Sequence, residues 1–194
     1  MPSILMDSDA DIITYGMGEK PTLMLSDLLS ETLNDYHPSL YYDENGESYI
    51  TRETFRDVIQ KQNNVPQTVS IYDKHEIPGG IQKDDIVLHS YEDCLSDLKL
   101  HADNFRHVEE ESNKLKAQRL LQETRGKWVV VNPPFPPLTQ EELDHSFDLP
   151  YTRLPHPKYN GKRIPAYDMI KFSVNMHRGC FGNRRSEERF SRNA

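Results

Sequence analysis

The distribution of proline constrains the fold of this chain more than any other feature of its sequence. Eight of the thirteen prolines lie between Pro133 and Pro165, and each of them fixes φ and removes a backbone hydrogen-bond donor. We predict an extended, stiff segment here, with one short helix near residues 140–147. Because such a segment forms few hydrogen bonds of its own, it needs a body to lie on. We interpret residues 133–168 as a proline-rich linker that leads into a following domain.

The first thirty residues predict one strand–turn–helix unit. Residues 11–15 are β-prone, residues 16–18 form a glycine turn, and residues 21–29 have the pattern of an amphipathic helix. One such unit cannot bury its own faces, because a parallel sheet needs neighbouring strands and helices. We therefore predict that residues 1–36 are the end of a doubly wound α/β domain and that more of it precedes Met1. The turn leaves a phosphate site as the lesser alternative, because Pro21 stands where the dinucleotide fingerprint needs a third glycine.

Residues 37–132 predict a connecting insert with a hairpin and a long helix. Asn45-Gly46 between aromatic residues is a strong hairpin signal, and a further strand is predicted over residues 69–72. Apolar residues recur at helical spacing on a helix predicted over residues 91–123 and closed by Gly126: Leu95, Leu98, Ala102 and Phe105. Residues 128–132 have the pattern of a buried strand.

Composition and charge exclude several classes of function. The net charge is −8 and 36% of the residues are hydrophobic, so the chain lacks the basic face that binding to nucleic-acid phosphates requires. No apolar run is long enough to span a bilayer, and the N-terminal sequence lacks the pattern of a signal peptide. We expect a cytoplasmic protein that binds neither nucleic acid nor membranes.

Histidine, cysteine and acidic residues are the candidates for chemistry. No two of the eight histidines form an i,i+4 pair beside a glutamate, so structural or surface roles are favoured over metal binding: His37, His75, His89, His101, His107, His145, His156 and His177. Cys94 lies within the predicted helix and is interpreted as a small buried side chain. The acidic run at residues 109–111 is interpreted as a solvated helix face.

Cys180 has a different environment. A strand predicted over residues 170–175 leads to a loop in which Gly179 and Gly182 flank the cysteine region, and glycines allow a backbone to close around a bulky inorganic ligand. An iron–sulfur cluster needs thiolates from several cysteines at short spacing, and only the first is present. From the spacing alone, a lone loop cysteine is the favoured alternative.

Two segments resemble a known family. The segment FDLPYTRLPHPKYNGKRIPAYDMIKFSVNMHRGCFG resembles the approach to the catalytic domain of YgiQ-type radical SAM proteins, in which the motif continues as C-x-x-x-C-x-x-C. The segment SILMDSDADIITYGMGEKP resembles the end of their N-terminal cobalamin-binding-like domain. The resemblance implies that residues 169–182 begin a radical SAM barrel with its first strand, and that Cys180 is the first of three cysteines. Arg184 and Glu187 stand where the other two are expected.

The resemblance also implies the chemistry of a longer protein. Its three cysteines would hold a [4Fe-4S] cluster that binds S-adenosylmethionine and cleaves it to a 5′-deoxyadenosyl radical. It implies no particular substrate and no particular catalytic residue. The tail from Arg185 onward matches the translation of a common sequencing-library adapter, so residues 183–194 are interpreted as non-native.

We therefore expect an inactive fragment of a radical SAM enzyme that binds no cofactor stably. Its expected partner is the remainder of its own full-length chain. The alternative is a small acidic interaction protein complete in 194 residues, with the helix at residues 91–125 as its binding face.

Overall fold

The computed structural model describes residues 3–8, 10–35, 41–42, 45, 48–49, 51–62 and 64–173. The chain divides into two compact units, residues 1–136 and residues 137–194. The strands are β1 (Ile13–Thr14), β2 (Tyr41–Tyr42), β3 (Ser48–Tyr49), β4 (Thr68–Tyr72), β5 (Ile86–Leu88), β6 (Leu120–Thr124) and β7 (Lys127–Val131). The α-helices are α1 (Ile4–Asp7), α2 (Glu19–Asp35), α3 (Arg52–Gln62), α4 (Tyr91–Ser96), α5 (Leu98–Ser112), α6 (Gln140–Asp148) and α7 (Pro165–Ile170), with a 3₁₀ turn at Pro157–Tyr159.

The first unit is built on a five-stranded mixed sheet in the order β1-β4-β7-β6-β5. Strands β5 and β6 are parallel and the other pairs are antiparallel. The parallel pair is joined through α4 and α5, as a parallel connection requires a crossover. The central strand β7 is buried at three successive positions, Trp128, Val129 and Val130, because both faces of the sheet are covered there. Tyr72, Ile77, Leu121, Trp128 and Val130 form the core.

Several predicted elements are confirmed. The hairpin pairs β2 with β3, Tyr41 opposite Tyr49, and the strands predicted at residues 69–72 and 128–132 are β4 and β7. The short helix in the proline-rich segment is α6. It begins with a capping box between Thr139 and Glu142, which satisfies backbone donors at its first turn.

The helix predicted over residues 91–123 is wrong beyond Ser112. Residues 120–124 form β6, whose Leu120 and Leu121 are buried between β5 and β7. Gly126 does not close a helix. Arg125 and Gly126 both have positive φ, 52° and 75°, and form the two-residue loop of the β6–β7 hairpin. The predicted apolar face of the helix is exposed, with Leu98 at 82%.

The strand–turn–helix unit differs from its prediction in extent and pairing. The strand is limited to Ile13–Thr14 and the helix begins earlier, at Glu19. Strand β1 pairs antiparallel with β4, Ile13 opposite Val69, so residues from the predicted insert complete the same sheet. Within the described strands, β1 lies at an edge of that sheet. The chain is a mixed α/β protein, and its doubly wound arrangement and its domain boundaries stay predictions.

The predicted barrel strand at residues 170–175 is wrong over its described part. Ile170 ends α7, and Lys171 and Ser173 donate backbone hydrogen bonds to Tyr167 and Ile170 in a helical turn. Pro165 presets φ for the first turn of this helix. Residues 174 and 175 lie outside the described residues. Among the described helices, none has the length and apolar character needed to cross a bilayer.

Candidate functional site

The glycine turn between β1 and α2 is closed by a side chain. Gly16 has φ of 71°. The buried Gln67 donates from Nε2 to the carbonyl oxygens of Tyr15 at 2.7 Å and Met17 at 2.9 Å. A Cβ at Gly16 would lie 3.1 Å from that nitrogen. The requirement for glycine is therefore explained by the approach of Gln67, which favours a tight strand-to-helix turn over a phosphate site.

A cluster of charged side chains lies on the surface between β5 and α5. His89 Nε2 is 3.0 Å from Asp103 Oδ2, and Arg106 donates to Asp103 Oδ1 at 2.9 Å. His107 is 3.7 Å from the same carboxylate. The hydrogen bonds from Arg106 and then His89 hold the pKa of Asp103 below its usual range. The cluster is an ion-pair network in which the carboxylate is kept charged.

Sequence reasoning missed this cluster. The usable signal was the i,i+4 spacing of Asp103 and His107 on one helix. The contribution of His89 comes from a different element, so no local pattern could reveal it.

Cys94 is half-buried within α4. Its sulfur is 3.1 Å from Asn104 Nδ2 and 3.9 Å from the carbonyl oxygen of His89. Burial, with a smaller effect from the charge of Asp93, raises the pKa of the thiol. Cys94 contacts Asn104 of α5, and its partial burial agrees only in part with its interpretation from sequence as a small buried side chain.

The acidic run at the end of α5 is only partly solvated. Glu110 is exposed, but Glu111 is buried and accepts hydrogen bonds from Lys114 Nζ and from the backbone N–H of Gln118, the latter at 2.8 Å. The interpretation of the run as a solvated face is wrong for Glu111. The reason is that the chain turns back after Ser112 and places the 113–118 loop over this carboxylate.

Two further carboxylates are used to join elements. Asp11 accepts hydrogen bonds from Arg52, at 3.1 Å, and from Arg56. Burial opposes ionisation of Asp11, but these two hydrogen bonds outweigh it and lower its pKa. Asp85 accepts two hydrogen bonds from Arg119, at 2.9 and 2.6 Å. Both aspartates therefore have structural roles. Because each is paired with arginine, neither is available as a general base.

The described residues do not fit an iron–sulfur cluster. Among them, no group of three or more histidine, cysteine, aspartate or glutamate side chains could hold a metal ion. The predicted ligand Cys180, and Arg184 and Glu187 beyond it, lie outside the described residues. The assignment of Cys180 thus stays a prediction.

Comparison with known proteins identifies the class of the chain. The family model described as "Radical SAM N-terminal" matches residues 1–173, and the chain belongs to this radical SAM family. More particularly, it is 54% identical to a UPF0313 protein of Bacteroides thetaiotaomicron over 180 residues, which are 93% of this chain and 27% of that protein. A UPF0313 protein of Porphyromonas gingivalis is 42% identical over 94% of this chain and 25% of its own length.

More distant relatives show the same coverage. A UPF0313 protein of Clostridium botulinum is 35% identical over 93% of this chain and 24% of its own length. The chain therefore spans about a quarter of the length of these curated relatives. No solved structure matches the chain.

These findings confirm the radical SAM resemblance seen in the sequence and do not favour the alternative of a small interaction protein. Membership of the family implies a [4Fe-4S] cluster and S-adenosylmethionine in the full-length proteins.

Proposed function

We propose that this chain is the N-terminal part of a radical SAM enzyme. With an electron from an external reductant, the full-length protein cleaves S-adenosylmethionine into methionine and a 5′-deoxyadenosyl radical. Cys180 is the first of the three cysteines that hold its [4Fe-4S] cluster. The match of residues 1–173 to the radical SAM N-terminal family carries this proposal, because that match ends shortly before Cys180.

The two described units support the enzyme without performing its chemistry. In the first unit, buried polar side chains such as Gln67 and Glu111 form hydrogen bonds within the fold. Cys94 contacts Asn104 within the first unit, and among the described residues it belongs to no group of three side chains that could hold a metal ion. The 194-residue chain is therefore inactive by itself, and its partner is the remainder of the full-length protein.

The proposal includes a cytoplasmic location and no nucleic-acid partner. The cytoplasm is the proposed compartment, since its reducing environment keeps cluster cysteines from pairing as disulfides. The net charge of −8 supports a protein without a nucleic-acid partner.

Substitution of the two cysteines in the full-length protein tests the assignment. Cys180→Ala and the matched control Cys94→Ala are reconstituted anaerobically with iron and sulfide, and bound iron, acid-labile sulfide and 5′-deoxyadenosine are measured. We expect Cys180→Ala to lose the cluster and the 5′-deoxyadenosine, and Cys94→Ala to keep both. A full cluster in Cys180→Ala, or no cluster in the unsubstituted full-length protein, contradicts the proposal.

A further inference from the structure

The end of the described chain carries large apolar side chains that the other described residues of its unit leave exposed. Of the described residues from 137 to 173, none is buried. Five large residues between positions 151 and 172 are all more than half exposed, Phe172 at 89% and Leu154 at 70%. We call these five residues the docking face: Tyr151, Leu154, Met169, Ile170 and Phe172.

The described residues of this segment form no hydrophobic core of their own. Its helices α6 and α7 have nine and six residues, lengths at which an isolated helix is marginal in water. Short-range contacts order it instead. Arg163 and Lys171 pair with Asp168, and Tyr167 donates to the carbonyl oxygen of Arg153. A segment shaped this way, with its apolar side chains outward, is typical of one that is completed by another surface.

The segment that carries the docking face is rich in basic residues. Between residues 149 and 173 the sequence holds five lysine or arginine residues and one acidic residue, although the whole chain has a net charge of −8. Lys171 Nζ lies 5.5 Å from the centre of the Phe172 ring, so a charged end group borders the apolar surface. The complementary surface is therefore apolar with an acidic rim.

The length of the relatives and the position at which the family match ends indicate what covers the docking face. About three quarters of each relative lies outside the region that this chain matches. The family match ends at residue 173, directly after Phe172, so the continuing chain is joined to the docking face. A tethered surface binds as an intramolecular partner at high effective concentration.

We propose that the docking face packs against the radical SAM part of the same full-length chain, on an apolar surface with an acidic rim. The segment at residues 149–172 is thus an internal interface that fixes the N-terminal units on the catalytic part. This inference rests on the proposed function, since that function supplies the catalytic part as occupant.

Hydrogen exchange measures the covering of this face. Exchange is followed on the 194-residue chain and on the full-length protein without cluster, and the amides of residues 151–172 are compared. We expect exchange roughly tenfold slower, or slower still, in the full-length protein. Equal rates in the two proteins overturn the proposal. Protection that rises with protein concentration also overturns it, because a second copy is then the occupant.

Matched substitutions in the full-length protein test the contact itself. Leu154→Ser and Phe172→Ser are expected to restore fast exchange over residues 151–172 and to leave the amides of β4 and β7 protected. Leu98→Ser is the control, because the exposure of Leu98, 82%, lies between those of Leu154 and Phe172, and Leu98 belongs to the first unit. An unchanged rate in both test variants, or an equal increase with Leu98→Ser, overturns the proposal.

Cluster content separates this inference from the proposed function. A protected segment in a full-length protein that binds no cluster upholds packing against the rest of the chain and contradicts the proposed cluster binding through Cys180. A bound cluster with an unprotected segment does the reverse.

Discussion

Glu111 is a buried carboxylate whose charge is satisfied entirely by short-range contacts. Burial alone would raise its pKa. The hydrogen bonds from Lys114 and the backbone of Gln118, with the positive charges of Lys114 and His107, bring that pKa below its ordinary value of 4.5. A folded-state pKa below the unfolded one means that ionised Glu111 stabilises the fold at pH values above the unfolded pKa. This contribution is lost as the pH falls through the folded pKa.

Substitution of Glu111 by glutamine removes this contribution. We expect Glu111→Gln to lower the free energy of unfolding at neutral pH by about 1–3 kcal/mol, because a buried charge-assisted contact is lost. In urea denaturation at a series of pH values, the free energy of unfolding of this variant should also fall less steeply towards acid pH than that of the unsubstituted chain. Glu110→Gln, which removes an exposed partner of Arg106, should change stability by about 0.5 kcal/mol at most. Equal losses in the two variants would show that Glu111 has no special role.

Substitutions at Gly16 and Gly126 distinguish the cost of backbone strain from the cost of a steric contact. Both have positive φ, 71° and 75°, but a Cβ at Gly16 would meet Gln67 Nε2 at 3.1 Å, whereas one at Gly126 would meet nothing within 4 Å. We expect Gly126→Ala to cost about 1 kcal/mol, from strain. Gly16→Ala should cost about 1–2 kcal/mol more, because the two hydrogen bonds of Gln67 are also disturbed. Urea denaturation of the two variants measures the difference, and equal costs would contradict the closed-turn interpretation.

Among the secondary-structure elements, the loop between β4 and β5 is held at the start of β6 by hydrogen bonds from Arg119. It forms a two-point contact with Asp85 and donates to the carbonyl oxygens of Pro78 and Gly80 at 3.0 and 2.6 Å. Lysine cannot reproduce this planar arrangement of donors. We expect Arg119→Lys to cost about 3 kcal/mol, since a buried ion pair is left incomplete.

Arg125→Lys is the matched control for this substitution. Arg125 also pairs with an aspartate, Asp7, but both side chains of that pair are about half exposed. Its replacement should cost less than about 1 kcal/mol in thermal or urea unfolding. A loss at Arg119 no larger than the loss at Arg125 would show that the loop is not fastened through this side chain.

Elements defined by local chemistry could be predicted, and those defined by distant pairing could not. Asn45-Gly46 and the apolar run of β7 carry their own turn and strand signals. The predicted helix is extended to Glu123 from an apolar spacing that ends at Phe105, yet Leu120 and Leu121 belong to a strand because β5 and β7 lie on either side. The β6–β7 turn could not be predicted, because it needs positive φ at Arg125 as well as at Gly126. Arginine is not a typical residue for that conformation.

At the scale of the whole molecule, membership of the family could be read from sequence because long segments resemble the family directly. The sheet shared by residues 1–36 and the following segment could not, since β1 pairs with β4 across a long separation. The cluster ligands could not be derived from spacing either. Arg184 and Glu187 occupy the positions of the second and third cysteines, so Cys180 alone carries the assignment.

In the function proposed above, this chain supplies one cluster ligand and the rest of the full-length protein supplies the others. The most direct test is parallel anaerobic reconstitution of the 194-residue chain and the full-length protein, with bound iron, sulfide and 5′-deoxyadenosine measured on both. We predict a cluster and cleavage of S-adenosylmethionine in the full-length protein, and neither in the 194-residue chain, because a site-differentiated cluster needs three thiolates. A stable cluster that cleaves S-adenosylmethionine on the 194-residue chain, or none on the full-length protein, would contradict the account.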